Sequence, residues 1–125
     1  MALKKILVID DEERLCRILK QILPVKGPYE VFSAHNGVTG RRMVREVKPD
    51  LILMDIVMPE LSGSELAEEL QENSQTASIP VIFITAVVSK AEMEKSGGRV
   101  GNRTFVAKPI DVDHLVARIK EALNE

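Results

Sequence analysis

Four short apolar runs of this chain each end in polar residues that could bind a metal ion and a phosphoryl group. These residues are Asp10-Asp11, Asp55, Thr85 and Lys108. If the runs are parallel strands, the polar residues share one edge of a sheet, where ligands bind in open α/β folds. Three carboxylates, a hydroxyl and an amine would then face one another. Such a set could hold a divalent cation and the oxygens of a phosphoryl group.

The three carboxylates favour Mg²⁺ over other metal ions. Neighbouring strands lie about 4.8 Å apart, so Asp10, Asp11 and Asp55 would crowd their charges if their strands were adjacent. Two like charges roughly 4 Å apart repel by about 4 kcal/mol at an effective dielectric constant near 20. A divalent cation would offset that repulsion, and ligands that are all oxygen suit Mg²⁺. Zinc is disfavoured because we expect no Cys or His at this edge.

Each of these residues also has an ordinary structural explanation when it is taken alone. Asp10 and Asp11 could simply begin a helix, since acidic residues favour the first turn. Thr85 suits a strand, and Lys108 could protect a sheet edge. Asp55 is harder to explain in this way, because it follows a fully apolar run and an unused buried carboxylate is costly. The combination at matching strand ends therefore favours a functional site.

Five apolar runs predict the strands of the sheet. They lie at residues 4–9, 29–34, 50–54, 80–84 and 104–107. Most are rich in Val and Ile and do not alternate, which is typical of strands that are buried on both faces of a parallel sheet. The segments between them carry apolar residues at helical spacing. This alternation predicts an α/β fold with a doubly wound parallel sheet and right-handed crossovers.

Residues that commonly begin helices support the predicted α/β fold. They are Ser62 with Glu65, Ser89 with Glu92, Asn36, and Asp111. The two Ser-to-Glu pairs match the capping box, in which a hydroxyl and a carboxylate bind free backbone amides. The fourth predicted helix, at 88–97, has few apolar residues and a glycine-rich exit, so we expect it to be held less firmly than the others.

Composition limits the classes of function. The 125 residues have the size of one domain, and we expect a single domain over residues 1–125. The net charge of -2 argues against direct binding of nucleic acid, which needs a basic excess. Cys16 is alone, which excludes an internal disulfide and fits a reducing cytoplasm. No apolar run approaches the roughly 20 residues of a membrane span, and we predict a cytoplasmic protein without membrane insertion.

The array of motifs resembles the receiver domain of bacterial two-component response regulators, of the chemotaxis type. The resemblance covers essentially the whole chain and rests on Asp10-Asp11, Asp55 with Met58-Pro59 and Gly63, Thr85-Ala86, and Lys108-Pro109. It implies a flavodoxin-like fold, with a five-stranded doubly wound parallel sheet in the order 2-1-3-4-5 and five flanking helices. It also implies a phosphorylation-activated signalling switch that turns over no external metabolite.

The resemblance implies how phosphorylation would occur. Asp55 is expected to accept a phosphoryl group from the phosphohistidine of a sensor histidine kinase or a phosphotransfer protein. Asp11 and Asp55, with the backbone carbonyl of Val57, are expected to ligate Mg²⁺ directly. Asp10 would act mainly through bound water.

The same family implies a switch in the second half of the chain. Lys108 would bind Asp55 and then the phosphoryl oxygens, and the peptide before Pro109 is expected to be cis. Thr85 would donate its hydroxyl to the phosphoryl group, which leaves space into which Phe105 can turn. The face formed by the fourth helix, last strand and fifth helix would then change for an output partner. The alternative is that Phe105 is an ordinary core residue.

Three other functions remain possible at this point. One is a Mg²⁺-dependent phosphatase with an aspartyl nucleophile, although such enzymes commonly carry a second Asp where this chain has Val57. Another is a flavodoxin-like nucleotide binder, although the acidic residues 10–13 would repel a phosphate. The last is a degenerate receiver that acts as an interaction module without phosphorylation.

Overall fold

The strands form one sheet with the predicted parallel order. In the computed structural model, which describes residues 2–86, 99–100 and 103–125, six strands are present: β1 (Lys4–Ile9), β2 (Tyr29–Ala34), β3 (Leu51–Met54), β4 (Val81–Thr85), β5 (Arg99–Val100) and β6 (Arg103–Ala107). Five of them pair in parallel in the order β2-β1-β3-β4-β6. The predicted order 2-1-3-4-5 and the flavodoxin-like fold are confirmed.

Strand β5 is an addition to the predicted sheet. Its two residues pair antiparallel with β6 at the edge. A two-residue strand is too short to produce a periodic pattern, so sequence reasoning had no signal for it. It extends the sheet beside β6 without changing the order of the parallel strands.

Four helices occur in the part of the chain that the structure describes. They are α1 (Glu13–Lys26), α2 (Gly37–Val47), α3 (Gly63–Glu72) and α4 (Val112–Ala122). The predicted helix at 88–97, with its capping box, lies outside the described residues. The helix that was expected to be the fifth is therefore α4.

The predicted helix starts within the described residues are confirmed. Ser62 and Glu65 make both hydrogen bonds of a capping box at the start of α3. Asn36 Oδ1 accepts a hydrogen bond of 2.7 Å from a backbone amide in the first turn of α2. Asp111 accepts from two amides in the first turn of α4. These side chains satisfy amides that would otherwise have no partner within the helix.

The core lies on both faces of the sheet. Ile6 and Val8 of β1 belong to the apolar cluster that includes α1 and α4, whereas Leu7 and Ile9 belong to the cluster with α2 and α3. Because successive side chains of a strand point to opposite faces, burial on both sides requires an unbroken apolar run. Such strands position the residues that follow them at the rim.

Tyr29, at the start of β2, gives a pH-dependent test of this packing. It is the only tyrosine of the chain and is 2% exposed, and its hydroxyl donates a hydrogen bond of 3.0 Å to Glu125 Oε1. Burial, together with Glu125, raises the pKa of Tyr29 to about 12. Since the pKa of an exposed tyrosine is about 10, the unfolded chain releases this proton first. Stability is therefore expected to be unaffected by Tyr29 below about pH 10 and to fall as the pH rises toward 12.

Absorbance of the phenolate band measures this titration, because the chain has no tryptophan. We expect one transition near pH 12. In Tyr29→Phe the alkaline loss of unfolding free energy should be smaller than in the wild type over the same pH range. A transition near pH 10, at the ordinary tyrosine value, would contradict the burial of the ring.

Candidate phosphoryl-transfer site

Backbone hydrogen bonds beyond the strand ends set the positions of the polar residues. The amide of Asp10 donates to the carbonyl of Ala34, and the amide of Asp55 donates to the carbonyl of Ile9, both at 3.0 Å. The amide of Lys108 donates to the carbonyl of Thr85, also at 3.0 Å. Each polar residue is thus held by the neighbouring strand. As predicted, the four strand ends bring these residues to one edge of the sheet.

The three carboxylates meet in one cluster. Asp10, Asp11 and Asp55 each offer a carboxylate oxygen, and these atoms all lie within 4.8 Å of one another. Asp10 is fully buried and Asp55 is 7% exposed, whereas Asp11 is exposed. A group with two buried members and one exposed member can bind a cation that keeps part of its water shell, as Mg²⁺ does.

Two backbone amides orient the buried carboxylates. The amide of Glu12 donates to Asp10 Oδ1 at 2.9 Å, and the amide of Val57 donates to Asp55 Oδ1 at 3.3 Å. The second oxygen of Asp10, Oδ2, is buried and receives no well-directed hydrogen bond from the described residues. A cation, or water bound to it, would satisfy that atom. The donor set therefore fits Mg²⁺, and the ligand role of the Val57 carbonyl stays a prediction.

Lys108 is the cation of the cluster. Its Nζ lies 2.9 Å from Asp10 Oδ2, 3.2 Å from Asp55 Oδ2 and 3.3 Å from Glu12 Oε2. Burial alone would lower the pKa of Lys108. The close contact and attraction of Asp10, followed by the attraction of and hydrogen bond to Asp55, outweigh burial and raise the pKa above its ordinary value. The side chain is therefore a charged ammonium at neutral pH.

The buried carboxylate of Asp10 remains electrostatically unfavourable despite this partner. Burial raises the pKa of Asp10, and repulsion by Asp55 adds to the increase. The amide of Glu12 and the ammonium of Lys108 act in the opposite direction but do not cancel the effect of burial. A bound divalent cation would favour the ionised form.

The two residues that were predicted to form the switch are both buried. Thr85, the last residue of β4, is fully buried. Phe105 on β6 is 8% exposed, and its ring stacks on Phe83 with centroids 5.3 Å apart. The peptide between Lys108 and Pro109 is cis, as predicted. An inward Phe105 fits both the switch and an ordinary core residue, so its role stays a prediction.

Two residues at this edge were not foreseen. Glu12 was considered only as part of an acidic run, yet its side chain contacts Lys108. His35 directly follows β2, and its Nδ1 lies 3.3 Å from Glu13 Oε1, so the expectation of no His at this edge was wrong. The position of His35 right after a predicted strand was the signal that could have identified it. Within the described residues, the group that could hold a metal contains carboxylates only.

A parallel sheet of this order, with an acidic cluster and a lysine at its strand ends, defines the receiver class of signalling domains. The family model for the response regulator receiver domain matches residues 6–120. The chain belongs to this family.

Similar proteins agree with this assignment. The polar-differentiation response regulator DivK of Brucella anthropi is 33% identical over 122 residues, which cover 98% of each chain. Among solved structures, a signal receiver domain of a histidine kinase from Syntrophus aciditrophicus is 29% identical with a TM-score of 0.80, covering 97% of this chain and 90% of that one. The chemotaxis protein CheY4 of Vibrio cholerae is 26% identical with a TM-score of 0.81, covering 98% and 100%.

Membership of the family establishes the general role of the chain. It is a receiver domain of two-component signalling, and receiver domains are signalling domains that generally bind Mg²⁺. They interact with histidine kinases or phosphotransfer proteins and with output partners. In the described part of the chain, every helix is too short or too polar to cross a bilayer.

Proposed function

We propose that this chain is a single cytoplasmic receiver domain, over residues 1–125, that is phosphorylated on Asp55. The phosphoryl group comes from the phosphohistidine of a sensor histidine kinase or phosphotransfer protein. The observation that carries the proposal is the position of Asp55, which lies within 4.8 Å of Asp10 and Asp11 and 3.2 Å from the ammonium of Lys108. Lys108 neutralises the charge of this nucleophile on one side, and a Mg²⁺ ion held by the carboxylates would neutralise it on the other.

Asp55 is the nucleophile of the transfer. One of its carboxylate oxygens attacks the phosphorus atom, and a P–O bond forms while the P–N bond to the donor imidazole breaks. The electron pair of the broken bond returns to the imidazole nitrogen, and Asp55 becomes an acyl phosphate. Little other covalent chemistry is needed, because phosphoryl transfer depends mainly on positioning and charge neutralisation.

The surrounding residues position the phosphoryl group. Asp11, Asp55 and the Val57 carbonyl would hold Mg²⁺ directly, and Asp10 would hold it through water. The bound ion supplies positive charge for the phosphoryl oxygens. Lys108 donates its N–H groups to the same oxygens, and it needs to move only a short distance because it already contacts Asp55.

Phosphorylation shifts the population of two states of the output face. The new group adds close to two negative charges, and the hydroxyl of Thr85 turns toward them. Phe105 then occupies the space that Thr85 leaves, and a partner binds the changed surface. In the described residues this surface consists of β6 and α4, and the helix predicted at 88–97 lies outside those residues.

Mass measurement after incubation with acetyl phosphate and Mg²⁺ tests the proposal. We expect one added phosphoryl group, no addition in the presence of EDTA, and, after borohydride reduction, a modified residue at Asp55. Sustained release of phosphate from simple monoesters would instead indicate a phosphatase. An unchanged mass with every phosphodonor would leave an interaction module that works without phosphorylation.

A further inference from the structure

Glu12 is a third carboxylate on Lys108, and the functions proposed above do not use it. A lysine ammonium has three N–H donors, and three carboxylates lie within reach of them. Glu12 Oε2 is 3.3 Å from Nζ, against 2.9 Å for Asp10 and 3.2 Å for Asp55. Lys108 Nζ thus donates hydrogen bonds to Glu12 and Asp55 and forms an ion pair with Asp10 before any phosphoryl group arrives.

We propose that Glu12 is a positioning residue that holds Lys108 back from the phosphoryl group and so limits how readily Asp55 is phosphorylated. This inference rests on the proposed function. Phosphoryl oxygens on Asp55 need an N–H of Lys108, and Glu12 competes for it. Lys108 makes only hydrogen bonds in this step and keeps its protons.

Of the three carboxylates that contact Lys108, that of Glu12 is the one that can move. Its amide is fixed by the hydrogen bond to Asp10 Oδ1, so its backbone stays beside the site. Its side chain is 55% exposed, whereas that of Asp10 is fully buried. Glu12 and Lys108 also line the same open groove of about 500 Å³. The side chain of Glu12 can thus leave Lys108 and move into solvent without disturbing the core.

Helix capping does not account for Glu12. It occupies the N-cap position of α1, but its side chain makes no capping hydrogen bond. Replacing the side chain should therefore leave the start of the helix intact. The side chain instead supplies the contact with Lys108 and one negative charge near the path of an anionic phosphodonor.

Two substitutions of Glu12 distinguish the effect of its contact with Lys108 from the effect of its negative charge. Glu12→Gln removes the charge and keeps the length. Glu12→Asp keeps the charge but shortens the side chain, so that it no longer reaches Lys108. The matched control is Glu13→Gln, because Glu13 is also exposed but pairs with His35.

Rates of phosphorylation by acetyl phosphate at saturating Mg²⁺ provide the first readout. The second is the equilibrium affinity for trifluoroberyllate, which binds a carboxylate oxygen with the tetrahedral geometry of a phosphoryl group and is followed by amide-resolved NMR. We expect Glu12→Gln and Glu12→Asp to raise both quantities by about two- to fivefold, the range of a partly exposed ion pair. Glu13→Gln should match the wild type in both.

Each other outcome decides against the inference. Wild-type values for both Glu12→Gln and Glu12→Asp would show that Glu12 does not restrain Lys108. An increase in Glu12→Gln but not in Glu12→Asp would assign the effect to charge alone. A wild-type protein that takes up neither phosphoryl group nor trifluoroberyllate would overturn the proposed function itself, and the inference with it.

Discussion

Replacing Asp55 by Asn is expected to abolish phosphoryl uptake and, without Mg²⁺, to stabilise the fold. The amide of Asn is not a nucleophile toward phosphorus, so the acyl phosphate cannot form. Its side-chain oxygen can still accept the hydrogen bond that the Val57 amide donates to Asp55. Mass measurement with acetyl phosphate should show no addition, and chemical denaturation measures the free energy of unfolding.

The expected gain in stability follows from the charges of the cluster. Asp55 contributes to the raised pKa of Asp10 by repulsion, and the substitution removes that repulsion. Lys108 loses one acceptor but keeps Asp10 and Glu12. Because three carboxylates share the single charge of Lys108, the loss of Asp55 leaves no charge unpaired. We expect a gain of about 1 kcal/mol, at the low end of the repulsion between two like charges a few ångströms apart.

Added Mg²⁺ should make the wild type more stable than Asp55→Asn. A ligand that binds the folded state contributes about 2.7 kcal/mol when its free concentration is about a hundredfold above Kd. The wild type has three carboxylates for the ion, whereas Asp55→Asn has two, so the wild type gains more. A variant that is less stable than the wild type without Mg²⁺ would show that attraction between Asp55 and Lys108 outweighs repulsion among the carboxylates.

Asp50→Asn is the matched control for Asp55→Asn. Asp50 directly precedes β3, whereas Asp55 follows it, so the two lie at opposite ends of one strand. Asp50 is exposed and accepts a hydrogen bond of 2.8 Å from the amide of Lys5. This variant should take up phosphoryl groups normally. Uptake that persists in Asp55→Asn would mean that another carboxylate of the cluster is the acceptor.

The second large effect is expected for Gly63→Ala, at the start of α3. The amide of Gly63 donates to the carbonyl of Ile56 at 2.8 Å, which ties the helix to the loop after β3. A Cβ atom at this position would overlap the backbone carbonyl oxygen of Asp55 and lie 3.0 Å from Ile56 Cα. These are backbone atoms, so no side-chain rotation can relieve the overlap.

We therefore expect Gly63→Ala to lose stability and activity together. Forcing a methyl group into a packed site costs about 3 kcal/mol, which denaturation would measure. The loop must shift to make room and would move the carboxylate of Asp55 away from Lys108. A misplacement of roughly 1 Å can slow a reaction about a hundredfold, which the rate of phosphorylation by acetyl phosphate would reveal.

Ser64→Ala, one residue further along α3, is the control for this variant. It changes a partly exposed side chain in the same helical turn without approaching the backbone of Asp55. Both its stability and its phosphorylation rate should stay close to those of the wild type. Gly63→Ala would contradict our account if it kept the wild-type rate, because the close approach of helix and loop would then not control Asp55.

Sequence patterns predicted the framework of the site well because those patterns depend on burial. Strand β3 is fully buried over all four residues, and an unbroken apolar run is the direct signature of burial on both sheet faces. The end of such a run marks the rim, which is why Asp10, Asp55 and Lys108 could be placed there together. The roles of these residues in phosphoryl transfer remain predictions.

The sequence by itself determined that Asp10, Asp55 and Lys108 stand at the rim, because strand ends are local features of the chain. Only the tertiary structure decided which of them touch. Glu12 and Lys108 are 96 positions apart, and no periodic pattern links residues across that distance. Gly63 meets the backbone of Asp55 because helix α3 packs back against the loop that precedes it. Such contacts depend on how elements pack in three dimensions, and local propensity contains no information about that packing.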